Sequence, residues 1–196
     1  MNFRKLTTCS ICCAVLGAAL CLSLPALAQD DAMLTDARKV AGAVPPKLLD
    51  VLNTQIAKDG PASAVAVCNE KAPQMAKAAS EQTGWAIRRV SLRNRNPKAV
   101  PDAWELAALK DFDQRAAAGE SPATLEKYGV VASASGNEYR YMQALPVQAM
   151  CLACHGTADA IPGDVADKLH TMYPADKAVG YSVGDIRGAI TIRKAL

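Results

Sequence analysis

Tyr128-Gly129-Val130-Val131-Ala132 and Glu138-Tyr139-Arg140-Tyr141-Met142-Gln143-Ala144-Leu145-Pro146-Val147 are two runs of strand-forming residues, and Ser135-Gly136-Asn137 between them is a hairpin-type turn signal. They predict an antiparallel pair whose second strand runs towards Cys151. Upstream, Trp85 to Leu92 alternates, with Trp85, Ile87 and Arg89 against Ala86, Arg88 and Val90; it reads as a further strand before the polar loop Arg93-Asn94-Arg95-Asn96-Pro97. Downstream, a short helix is expected near Gly163 to Met172 and a last strand from Ala189 to Arg193.

The N-terminal half reads helical. Leu48, Leu49, Leu52 and Ile56 recur at helical spacing and stop at Gly60-Pro61. Val65, Cys68, Ala72 and Met75 share one face of the next segment, which Pro73 interrupts or restarts. Asp102 and Glu105 have capping-box spacing, Trp104, Ala108 and Phe112 form a stripe, and Gly119 closes that helix. Helices first and strands later give an α+β fold, with N-terminal helices packed on a small antiparallel sheet.

The first residues read as a secretory leader. Arg4 and Lys5 precede an apolar run from about Ile11 to Leu24, and Ala26-Leu27-Ala28 is a small-x-small cleavage site. Residues 1–28 are thus expected to be removed, leaving 29–196 as one domain in the periplasm, with no membrane span after cleavage. The formal net charge of +3 includes Arg4 and Lys5. The processed chain would be nearly neutral, which gives no reason to expect a nucleic-acid partner.

Seven cysteines are present, and Cys9, Cys12, Cys13 and Cys21 belong to the leader. That leaves Cys68, Cys151 and Cys154 in an oxidising compartment. Cys151-Leu152-Ala153-Cys154-His155 has the spacing of covalent c-type haem attachment: two sulfurs reach the two vinyl groups, and the next residue places an imidazole under the iron. A zinc site would need a fourth ligand besides these cysteines, and the sequence lacks the βαβ pattern that accompanies a thioredoxin-type pair. With one haem c on Cys151 and Cys154 and with His155 as proximal ligand, Cys68 is left without a thiol partner. The candidates for the distal position are Cys68, His170, Met75, Met142 and Met172, or the position stays open. Met150 is tied too closely to Cys151 to reach the far side. Nine aromatic residues, one of them Phe3 in the leader, are a modest core supply that a buried porphyrin would supplement.

Five blocks carry a family resemblance: Val67-Cys68-Asn69-Glu70-Lys71-Ala72-Pro73; Arg89 through Pro97; Pro101-Asp102-Ala103-Trp104-Glu105; Cys151 through Gly156; and Tyr173-Pro174 with Gly180-Tyr181 and Gly184-Asp185-Ile186-Arg187-Gly188-Ala189. Together they resemble the Tll-like haem domain family, formerly a domain of unknown function. The resemblance implies a PAS-like fold, a single c-type haem, and an axial cysteine that in this sequence can only be Cys68. Members occur as free periplasmic cytochromes and as sensory portions of signalling proteins. Arg93, Arg95 and Arg187 are candidates to hold the haem propionates. Asp185 and Gly188 are expected to shape a turn, and Tyr141 and Tyr181 to line the pocket or pack the core.

The functional expectation is low-potential electron transfer or redox sensing with an unknown periplasmic redox or signalling partner. A haem-based CO or NO sensor is the alternative. A peroxidase-like enzyme would need an open position and distal acid/base groups, for which no histidine is assured; no catalytic residue is therefore assigned.

Overall fold

The computed structural model describes residues 24–196, with side chains from residue 32 onward. Up to position 23 the expected leader lies outside the described residues. Helix α1 runs from Leu24 to Asp59 and contains Pro45 and Pro46. It is therefore much longer than the Leu48–Ile56 pattern alone suggests. Gly60, with φ of 77°, turns the chain and Pro61 opens α2, Pro61–Ala66. A π-helical turn, Val67–Lys71, then leads into α3, Ala72–Thr83.

Strand β1, Ala86–Val90, is followed by α4, Ala103–Ala117, whose N-terminus carries the expected reciprocal cap between Asp102 and Glu105. The hairpin is formed by β2, Glu126–Ser133, and β3, Gly136–Pro146. Its turn is Ala134-Ser135, because Ser133 pairs with Gly136 and Ala132 with Asn137. The expected turn at 135–137 is thus displaced towards the N-terminus: Gly136, at φ of 120°, opens the second strand. After β3 come α5, Leu152–His155, α6, Gly163–Met172, and β4, Ile186–Ala195.

All strand pairings are antiparallel, in the order β1-β4-β3-β2. On one face Leu34, Ala37, Val40 and Ala41 of α1 pack on Trp85, Ile87, Tyr139, Tyr141, Ile190 and Ile192, with Ala76 and Ala79 of α3 alongside. The opposite face is covered by Ala108, Leu109 and Phe112 of α4, against Val90, Met142, Ala144 and Ala189. This period-2 division puts Tyr139 and Tyr141 on one side of β3 and Met142 and Ala144 on the other. The result is the expected α+β arrangement of N-terminal helices on a small, open antiparallel sheet, consistent with a PAS-like fold. The α4 layer closes the second face.

Gly188 does not shape a turn: it lies within β4 opposite Leu145. A Cβ there would lie 2.3 Å from the Val90 carbonyl oxygen, at a φ of 148°, so only glycine lets β4 pass the end of β1 this closely. Among the described residues, no helix is long and apolar enough to cross a membrane.

Candidate functional site

The three described cysteines are free thiols, all partly buried. A tight turn, in which Cys151 N–H donates to the Gln148 carbonyl at 2.9 Å, feeds the single helical turn α5. Gly156 ends it in an extended conformation; a Cβ at this position would meet the Leu152 carbonyl oxygen at 2.7 Å. Tyr181 N–H then donates to the His155 carbonyl at 2.9 Å, tying the motif to the 178–181 segment.

That segment orients the imidazole. His155 Nδ1 lies 2.7 Å from the Ala178 carbonyl oxygen. A carbonyl only accepts, so Nδ1 carries the proton and Nε2 keeps its lone pair, which is the arrangement a metal-binding histidine needs. Burial, with the nearby Arg187 and Arg95 cations, holds the His155 pKa down to about 2, so the ring is neutral at physiological pH. Tyr181 meets it edge-on, the ring centroids 6.2 Å apart.

Arg95, 8% exposed, works as a clamp on this loop. Its Nε donates to Asp176 Oδ2 at 2.8 Å, and its Nη2 donates to the Cys154 carbonyl at 2.5 Å and to the Ala178 carbonyl at 3.3 Å. Asp176 also accepts the Ala178 N–H at 2.7 Å. One buried ion pair therefore positions both the second thiol and the carbonyl that orients His155.

The other expected arginines also lie here. Arg187 Nε lies against both ring nitrogens of His155, 3.2 Å from Nδ1 and 3.4 Å from Nε2, and its Nη1 donates to Ser91 Oγ at 3.0 Å. Desolvation and the neighbouring Arg89 cation lower the Arg187 pKa. Arg93 stacks on Tyr181, its guanidinium carbon 3.7 Å from the ring centroid, and donates to the Val179 carbonyl at 2.8 Å. Asp185 does shape a turn, accepting the Ser182 N–H at 2.8 Å.

Cys68 approaches from the helical layer. Burial pushes its thiol pKa up, opposed by the Arg89, Arg95 and Arg187 cations. Cys68 is also within electrostatic range of both Cys151 and Cys154. Cys68 thus lies on the side of the helical layer nearest the motif's charged surroundings, 83 residues before Cys151 in sequence. Of the rival distal candidates, His170 is exposed on the outer face of α6. Met142 is fully buried under α4, and Met75 is half-buried on α3. Met172 packs with Cys154, Ala62, Val65 and Tyr173 between α2 and α6. Tyr141 belongs to the sheet core and donates to Glu126 at 2.8 Å, whereas Tyr181 faces the motif.

Arg89 is the site residue that sequence reasoning missed. Its surface is accessible, yet surrounding protein desolvates it enough to lower its pKa, and the Cys68 and Cys151 thiols are its foremost opposing influences. Strand alternation carried the signal: Arg89 shares the face of Trp85 and Ile87, both buried, where a cation needs a reason to be.

Among the described residues no group of three or more His, Cys, Asp or Glu side chains is gathered that could hold a metal ion. A cleft of about 480 Å³ lined by Arg93, Leu109, Asp113, Tyr181 and Asp185 adjoins the site without containing any of its thiols. The chemistry at the motif is two closely spaced thiols, an imidazole held by a backbone carbonyl, and three arginines, Arg93, Arg95 and Arg187, that contact the motif or the segment packed on it. It suits covalent capture and axial ligation of a planar iron cofactor bearing anionic groups.

No curated protein matches the sequence. Among solved structures, the fold matches one described as the crystal structure of the cyanobacterial heme-protein Tll0287, with a TM-score of 0.58 and 26% identity over 84% of this chain and 93% of that one. A family profile described as Tll0287-like matches residues 25–194. The chain belongs to the Tll0287-like family.

Proposed function

We propose that residues 29–196 form a periplasmic mono-haem c-type cytochrome that serves low-potential electron transfer or redox sensing, without catalysis of its own. In this reading Cys151 and Cys154 hold haem c through thioethers, His155 is the proximal iron ligand and Cys68 the distal one. The observation that carries it is the hydrogen bond between His155 Nδ1 and the Ala178 carbonyl, which turns Nε2 away from that carbonyl in the residue that follows two closely spaced thiols. The cyanobacterial relative, a heme protein by its description, adds support.

Haem c, when bound, would supply one-electron chemistry between its ferric and ferrous states. The protein's part is to set the preference between them. A thiolate from Cys68 adds negative charge and favours ferric iron, so the potential should lie below that of a His/Met pair. Arg187, Arg93 and Arg89 are the cations available to the propionates, while Arg95 holds the loop through Asp176.

Export in a host with cytochrome c maturation machinery should give a coloured protein whose mass is the processed chain plus one haem. Colourless material with the bare mass overturns the proposal. Cys68→Met should raise the potential and abolish a thiolate-type low-spin ferric spectrum; no change in either removes Cys68 from the iron. The burial that disfavours a charged Cys68 supports a second reading, in which reduction releases Cys68 and opens a site for CO or NO. A reduced protein that forms no CO adduct eliminates that reading.

A further inference from the structure

The segment that carries Cys68 is not an ordinary helix. Between α2 and α3 the chain makes a π-helical turn at Val67–Lys71, closed by Ala72 N–H donating to the Val67 carbonyl, five residues back. Such a turn holds one residue more than an α-turn and rotates the succeeding residues by roughly 100° relative to a continuous helix.

The rotation shows in the packing. Val65, before the turn, lies in the cluster with Cys154, Ile161, Val165 and Tyr173. Ala76 and Ala79, after it, lie against the sheet with Trp85 and Tyr139. At 3.6 residues per turn, residues 65, 76 and 79 would share one face of an unbroken helix. The wide turn lets the same helical strip serve the motif module first and the sheet core second, with Cys68 at the change of direction.

Pro73 supplies the cause. It lies in the first turn of α3, has no N–H to offer the carbonyls of the preceding turn, and its ring would clash with the Asn69 carbonyl in continuous α-geometry. Its own side chain is exposed and contributes nothing to either cluster. Its effect is therefore on the backbone.

We infer that Pro73 is a positioning residue: by holding the Val67–Lys71 turn open, it aims Cys68 at the cofactor face opposite His155. This rests on the distal role proposed above for Cys68. In Pro73→Ala the missing N–H returns, the turn closes to α-geometry, and Cys68 swings off its axis.

The test uses the full, haem-loaded chain and three variants. Cys68→Ser establishes what loss of the thiolate looks like in the ferric spectrum and the potential. Pro73→Ala should reproduce both changes with its far-UV circular dichroism unchanged, and Cys68, protected in the parent, should become alkylated by iodoacetamide as read by peptide mass. If Pro73→Ala does not accumulate, deletion of the exposed Glu70 removes one residue from the same turn and carries the same expectation. A folded Pro73→Ala or Glu70-deleted chain that keeps the parent spectrum, potential and protection overturns the inference while leaving the ligand intact. A Cys68→Ser spectrum identical to the parent removes the ligand itself, and this role with it.

Discussion

The sheet and the motif module are stabilised by different means. Around β4 and β3 both faces are sealed by fully buried apolar side chains, including Trp85, Tyr141, Phe112 and Met142, packed under α1 and α4. Around Cys151–His155 the residues are only partly buried, and the local geometry is set by a buried Arg95–Asp176 pair, backbone carbonyls and stacked arginines. Apolar burial is strong and non-directional, whereas charge-assisted hydrogen bonds are directional. The fold can therefore rest on the first region while the second specifies angles.

This contrast can be broken in four ways, in order of expected effect. Removing both sulfurs proposed to hold haem, Cys151→Ala with Cys154→Ala, should yield a haem-free chain with a markedly lower melting temperature; equal melting of the two proteins would refute the idea that the cofactor completes the motif module. Phe112→Ala should cost about 3–5 kcal/mol in urea unfolding yet leave the haem spectrum unchanged, since Phe112 packs in a cluster that contains none of the cysteines or His155. Arg95→Met should cost about 1–3 kcal/mol, because it leaves the partly buried Asp176 carboxylate without its charged partner. Unlike Phe112→Ala, it should also shift the spectrum through His155, and an unshifted spectrum would strip Arg95 of its orienting role.

The smallest effect concerns pH. The folded His155 pKa, near 2, lies below the ordinary histidine value of 6.5. The unfolded chain therefore binds the extra proton first as pH falls, and stability is lost on acidification below about 6.5. In the haem-free chain, urea unfolding should weaken between pH 6.5 and 5. The lowered carboxylate pKa values, as at Glu126 and Asp102, act only further into acid. His155→Gln should flatten the upper window; a persisting slope would assign it elsewhere.

Much of the sheet region was legible because each element declares itself locally. Asp102 and Glu105 announced the start of α4, and Val165 and Leu169 lie on the buried face of a helix bounded where expected. The hairpin turn was misplaced because Gly136 signals a positive φ without saying whether it sits in the turn or just after it. The motif was legible as chemistry but not as geometry. Nothing in Cys151–His155 shows that Ala178 will orient the ring or that Arg95 will clamp the loop, because those partners come from loops with no periodic pattern. The π-turn was hidden for a sharper reason. Val65, Cys68, Ala72 and Met75 match α-spacing, and only the backbone demand of Pro73 contradicts them.

The strand order has a temporal consequence. β4, residues 186–195, comes last in sequence yet lies between β1 and β3. Until it arrives, β1 has no partner in the sheet, and only the β2–β3 hairpin can pair. The Cys151–His155 motif thus emerges ahead of the strand that knits the two halves together, so any covalent modification of its thiols before β4 is made would meet an unfinished scaffold.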